Sequence, residues 1–184
     1  MLLIIGLGNV GKRYLMTRHN VGFEIVDVLV SRLRFKKFKF VKKLHSLISS
    51  STYPMVTEKS LLLAKPAELM NFSGIAVSKL VHHFNIKLSD TWVIYDDLDI
   101  PLGSYKIQKG KGPKDHKGVL SIYEKLKTKD FWHVRIGIDN RFFSEKISGD
   151  EYVLQKFTRE EREILQGVID KVINYLVEII KNSE

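Results

Sequence analysis

The chain contains no cysteine, which excludes a disulfide scaffold, a cysteine-ligated zinc site and a thiol nucleophile, and which fits a reducing cytosol. No apolar run approaches the ~20 residues that a membrane-spanning helix needs. Internal repeats, low-complexity tracts and linker-like stretches are missing as well, so one domain over residues 1–184 is expected, long enough to bury a sizeable core. The opening MLLIIGLGN has no basic leader segment and no small-residue cleavage site, and reads as a first β-strand instead of a signal peptide. Acids are also scarce: 21 Asp and Glu stand against 30 Lys and Arg, for a net charge of +9. Such an excess suits a polyanionic partner, because clustered cations release counterions from phosphates. A general bias towards basic, soluble sequences produces the same composition.

The positive charge is clustered. Residues 32–43 hold Arg32, Arg34, Lys36, Lys37, Lys39, Lys42 and Lys43 with Phe35, Phe38 and Phe40 between them and no acid. The aromatics can stack bases, or they can be the buried face of a strand whose other face is solvated. A second cluster, Lys106, Lys109, Lys111, Lys114 and Lys117, surrounds Gly110, Gly112 and Gly118.

Four short apolar runs read as strands buried on both faces: Leu2–Gly6, Leu61–Ala64, Trp92–Tyr95 and Val134–Ile138. Edge-like strands are expected near His45–Tyr53 and Ser104–Gln108. Helical spacing marks Val21 to Leu33, Ala76 to Phe84, Val119 to Leu126 and a last helix carrying Ile164, Leu165, Val168, Ile169, Val172, Ile173, Leu176, Val177 and Ile180. Thr158 and Glu161 stand at the spacing of a capping box before that helix. The alternation predicts an α/β globule with a twisted, mostly parallel mixed sheet flanked by helices.

Gly6, Gly8 and Gly11 spell the dinucleotide-binding fingerprint after the first strand. That fingerprint works only when a helix begins at the glycines and points its N-terminus at a pyrophosphate. Here the helical pattern starts at Val21, and Glu24 and Asp27 fall inside it instead of closing a second strand. The glycines are read as a tight loop that brings Asn9 into a pocket, and no nucleotide cofactor is expected.

Ligands of open α/β sheets sit beyond the carboxyl ends of the strands. Asn9 follows the first buried run, Asn71 follows the second, Asp96 follows the third, and His19 precedes the first helix. Each alone has a structural reading as a turn, cap or surface residue. Together they suit hydrolysis, since an imidazole is a natural base near neutral pH and a carboxylate fixes its tautomer. No G-x-S-x-G elbow supports a serine nucleophile. No H-E-x-x-H is present, and His82 and His83 sit side by side on a helix, a poor metal pair. No metal site is expected. What remains is water activated by a histidine and aimed at an ester.

Five segments, GLGNVGKRYLMTRHNVGFEIVD (6–27), KPAELMNFSGIAV (65–77), YDDLDIPLG (95–103), VRIGID (134–139) and YVLQKF (152–157), resemble bacterial-type peptidyl-tRNA hydrolases in that order across nearly the whole chain. The resemblance implies a monomeric, cytoplasmic α/β enzyme without metal or cofactor that cleaves the ester between a peptide and the 3′ end of tRNA. It makes His19 the base, Asp96 its partner and Asn9 the group that positions water or the oxyanion. It places Asn71 on the peptide main chain, Tyr14 and Met70 in the pocket wall, and Lys106, Lys109, Lys111 and Arg135 on tRNA phosphates. The chain departs from the pattern at Val10, at Glu68 and Leu69, at Gln108, and in the loop GKGPKDHKG, where Lys117 stands at a substrate-binding asparagine. A lysine there can only donate hydrogen bonds. A catalytically weak relative that binds RNA is the alternative reading.

Overall fold

The structure, a computed structural model, describes residues 1–50, 60–141 and 147–182. The strands are β1 (Leu2–Gly6), β2 (Lys39–Val41), β3 (Ser46–Ser50), β4 (Leu61–Pro66), β5 (Thr91–Pro101), β6 (Tyr105–Lys109) and β7 (Trp132–Asp139). The helices are α1 (Val21–Arg32), α2 (Ser73–His83), α3 (Lys117–Leu126), α4 (Gly149–Val153) and α5 (Arg159–Asn182). Among the described residues all seven strands form one sheet, in the order β2-β3-β4-β1-β5-β7-β6. The four runs read as buried strands are its parallel centre, β4-β1-β5-β7, and β2, β3 and β6 add antiparallel edges. The expected α/β sheet with flanking helices is what the chain forms.

Period-two alternation sends successive side chains to opposite faces. Ile4, Leu63, Ile94, Val134 and Ile136 pack under Val21, Ile25 and Leu29 of α1 and Leu165, Val168, Ile169, Val172 and Ile173 of α5. Leu3, Ile5, Leu62, Val93 and Tyr95 pack under Val77 and Leu80 of α2 and Val119 and Ile122 of α3. Each fully buried aliphatic side chain contributes about 1.5–3 kcal/mol, so both faces drive the sheet's closure. The capping box forms as read: Thr158 N–H donates to Glu161 at 2.8 Å and Glu161 N–H to Thr158 Oγ1 at 3.2 Å.

Several expectations need correction. Ile164 lies off the apolar stripe of α5 and is half exposed. The edge strand expected over His45–Tyr53 runs as Ser46–Ser50, and residues 51–53 lie outside the described residues. The third buried run does not stop at Tyr95. It continues as an eleven-residue strand to Pro101, which puts Asp96 inside β5. Its pairing with β1 ends at Gly6↔Ile94, whereas its pairing with β7 goes on. Asp96 therefore emerges beside the end of β1, where the sheet has no neighbour on that side. The five-residue helix α4 and the three-residue strand β2 are too short for a periodic signal.

The glycines of the fingerprint serve packing. A Cβ on Gly6 would meet the Gly22 carbonyl oxygen at 2.1 Å, and one on Gly22 would meet Ile94 O at 2.4 Å. Glycine at both places lets the start of α1 lie directly on β1 and β5. Gly11 has φ 116°, a turn conformation that L side chains rarely adopt. Only a short 3-10 turn, Lys12–Tyr14, follows it, so no helix N-terminus faces a pyrophosphate there.

Candidate active site

His19 sits in a 3-10 turn, Arg18–Asn20, that runs directly into α1. That turn is held from below. Arg18 donates to both oxygens of buried Glu161 at 2.8 and 2.7 Å and to the Lys156 carbonyl at 2.8 Å, and its guanidinium lies over Tyr152 and Phe157. The capping glutamate of α5 thus also locks the residue next to His19, whose ring is fixed at the sheet end.

There His19 Nδ1 lies 2.8 Å from Asp96 Oδ1. The same oxygen is 3.0 Å from Nε2 of His116, the residue that precedes α3. The two imidazoles are 4.9 Å apart, and all three side chains are buried except for the edge of His19 that faces the cleft. Burial alone would raise the Asp96 carboxyl, but the two facing imidazoles outweigh it and hold the group well below the usual carboxylate range. The hydrogens on His116 follow from its neighbours. Val119 N–H donates to His116 Nδ1 at 3.2 Å, so Nδ1 is an acceptor and the ring proton sits on Nε2, facing Asp96. Asp96 in turn draws a proton onto His19 Nδ1, leaving His19 Nε2 as the open lone pair.

Asn9 is pinned with equal economy. Its Oδ1 accepts the Met70 N–H at 2.9 Å, and Asn20 brackets its backbone, accepting from Asn9 N–H and donating to Asn9 O at 2.8 and 2.9 Å. With Oδ1 occupied, the Nδ2 amide hydrogens remain to donate elsewhere. A cleft of about 450 Å³ opens against His19, Asp96 and His116, walled further by Leu98, by Pro113–Lys117 and by Ser148–Asp150.

His19, Asp96 and His116 place one donor atom each within 4.8 Å of one another, the spacing of a metal-binding trio. The Val119 hydrogen bond opposes that use. A metal on His116 Nε2 would force the proton onto Nδ1, into a backbone N–H that already points there.

The other residues singled out in the sequence divide. Asn71 is exposed in the 3-10 turn Met70–Phe72, and Tyr14 is half-buried with its hydroxyl on Arg13. The Met70 side chain is buried in the core beneath α2 and α3, and its backbone N–H holds Asn9. Lys117 turns to Asp150 Oδ2, 2.6 Å away, across the cleft mouth. Lys106, Lys109 and Lys111 are exposed, and Lys109 lies 3.4 Å from Asp130. Arg135 is placed differently from the three exposed lysines. It is buried, and its Nε donates to Asp97 Oδ2 at 2.7 Å, between Tyr95 of β5 and Lys106 of β6, its cross-strand partners. Two residues were missed, His116 and Asn20. Asn20 lay in the T-R-H-N segment, and His116 followed the altered residues of the glycine-lysine loop at a helix N-cap, the one signal that would have found it.

A sequence model described as peptidyl-tRNA hydrolase matches residues 3–184. A peptidyl-tRNA hydrolase of Persephonella marina is 39% identical over 97% of this chain and 90% of its own length. One of Thermodesulfovibrio yellowstonii is 40% identical over 100% and 94%. The crystal structure of peptidyl-tRNA hydrolase from Acinetobacter baumannii superposes with a TM-score of 0.87 at 28% identity, covering 100% of this chain and 90% of that one.

Proposed function

Since the chain belongs to the peptidyl-tRNA hydrolase family, we propose that His19, Asp96 and Asn9 form its hydrolytic centre. The protein is an enzyme that hydrolyses the ester between peptide and tRNA. His19 Nε2 takes a proton from water, and the resulting hydroxide attacks the ester carbonyl. The Asn9 Nδ2 group donates to the oxyanion as it forms, a contact worth about 3 kcal/mol in comparable sites. The tetrahedral intermediate then collapses with cleavage of the bond to the ribose oxygen, which recovers the proton from the His19 imidazolium. Peptide carboxylate and tRNA with a free terminal hydroxyl leave. Asp96 stabilises the imidazolium between the two proton transfers, and His116 acts as a positioning residue that holds the carboxylate from the far side.

The observation that carries this reading is the single Asp96 oxygen shared by two imidazoles, one of which keeps a lone pair at the cleft. An RNA-binding protein without catalysis is not favoured, because the cluster is intact and Lys117, the residue that raised the alternative, is turned to Asp150. Asn71, flanked by exposed Leu69 and Phe72, is assigned to the peptide main chain, with Tyr14 beside it. Lys106, Lys109 and Lys111 take tRNA phosphates, supported by Arg135, and Lys117 meets the substrate once it parts from Asp150. One sheet with helices packed on both faces supports a single unit over residues 1–184, which we assign as a monomer. A substrate generated by translation supports a cytosolic location. No described helix is long and apolar enough to cross a membrane. The purified protein should release N-acetyl-amino acid from N-acetyl-aminoacyl-tRNA at the same rate with and without a chelator. No release, or release abolished by chelation, would contradict the metal-free scheme.

A further inference from the structure

Seven of the chain's basic residues fall within residues 32–43, a stretch without one acid, in a chain of net charge +9. The structure decides what that stretch presents. Phe35 and Phe38 turn inward and pack against the core, Phe35 N–H donates to Val30 O at 2.9 Å, and Ser49 Oγ donates to Lys36 O at 2.7 Å. The backbone is therefore anchored from both sides. All seven basic side chains face outward, and none is paired with an acid among the described residues. Phe40 is 58% exposed between Lys39 and Lys42. The stretch runs from the last residue of α1 through β2 (Lys39–Val41) into the 3-10 turn Lys42–Leu44, and β2 is an edge strand of the sheet, six strand spacings from β6, or roughly 30 Å.

Register places the end of this strand on the catalytic rim. Val41 pairs with Ser46, Ser46 with Pro66, and Pro66 leads into Met70, which holds Asn9. Ala67 N–H donates to His45 O at 2.8 Å, and His45 is bound to Glu68. Lys42 and Lys43 thus continue the edge of the active site on the side away from Lys106 and Lys109.

From this we infer that the β2 edge is a second contact for the RNA phosphate backbone, which grips the body of the tRNA while the cleft takes its 3′ end. The inference rests on the activity assigned above. Unpaired, outward cations gain the full counterion release on meeting phosphates, and an exposed phenylalanine among them adds a stacking face.

The test replaces Lys36, Lys37, Lys39, Lys42 and Lys43 together by Gln, with the double variant Lys42→Gln/Lys43→Gln as a milder companion and thermal melts to confirm folding. For N-acetyl-aminoacyl-tRNA, KM should rise about tenfold or more in the fivefold variant with kcat unchanged. The slope of log(1/KM) against log salt should become shallower by roughly 0.9 for each phosphate that the variant no longer neutralises. Hydrolysis of the same ester on a fragment limited to the last few 3′ nucleotides should not change. Fluorescence anisotropy with deacylated tRNA reads the binding without catalysis and should show the same weakening. Unchanged KM, salt slope and tRNA affinity would overturn the inference. So would loss of binding to phosphatidylglycerol vesicles alone, which would assign the edge to an anionic membrane. If the wild type cleaves neither ester, the activity fails, and anisotropy alone still decides the patch.

Discussion

Asp96 and Asp97 are consecutive carboxylates on one strand, both buried, yet strand alternation delivers them to opposite faces and to different partners. Asp96 meets two imidazoles carried by the turn before α1 and the N-cap of α3. Asp97 meets the permanently charged Arg135 of β7 and also accepts the Asp99 N–H at 2.8 Å. A carboxylate facing a guanidinium is spent on holding two strands together, because that cation never gives up its proton. A carboxylate facing an imidazole whose second nitrogen reaches a cleft can support proton transfer. The difference lies in the partners and in the opening, not in the acid.

Substitution at the two positions should separate these roles. Asp96→Asn keeps the shape but removes the charge that stabilises the imidazolium, so kcat should fall by about 10³–10⁴ while tRNA binding stays within threefold. A loss below tenfold in single-turnover hydrolysis would erase the distinction. Asp97→Asn should reverse the pattern: a buried cation loses its ionised partner, stability in urea drops by about 2 kcal/mol, and kcat per folded molecule stays within threefold.

His133 sharpens the contrast, as a buried imidazole facing no carboxylate among the described residues. Its Nε2–H donates to Lys129 O and its Nδ1 accepts from the Tyr95 hydroxyl. Burial, with nearby Arg135 and Lys129 adding to it, pushes it down to about 4. The unfolded chain takes up a proton near 6.5 that the folded chain refuses, so stability falls as pH drops from about 6.5 towards 4. The thermal midpoint should decline over that window, and His133→Gln should flatten the decline. The smallest effect belongs to Lys117→Asn. Exposed pairs such as Lys117–Asp150 contribute about 0–1 kcal/mol, so activity should be preserved or modestly raised, and a collapse in rate would give the lysine a catalytic task of its own.

How much of this was legible in the sequence follows from what each signal encodes. Buried strands and the α5 cap were readable because composition and spacing determine them locally. The meeting of His19 with Asp96 was readable because strand ends of an α/β sheet converge. His116 was not, since its loop departs from the familiar glycine-rich pattern and only the fold carries it back to Asp96. The burial of Arg135 and Met70 was not legible either: a residue type announces its chemistry but not whether the strand or turn beneath it points it inward. Of the two readings left open for the aromatics of this stretch, Phe35 and Phe38 take the buried one, and Phe40 is left exposed.

The central claim is that His19 Nε2, primed by Asp96, removes the proton from the attacking water. The direct measurement is single-turnover hydrolysis of N-acetyl-aminoacyl-tRNA by His19→Ala, with affinity for deacylated tRNA measured on the same preparation. A rate at least ~10³-fold lower with tRNA affinity retained is the predicted result. A rate within tenfold of wild type, or a loss that runs in parallel with tRNA binding and folding, would contradict it.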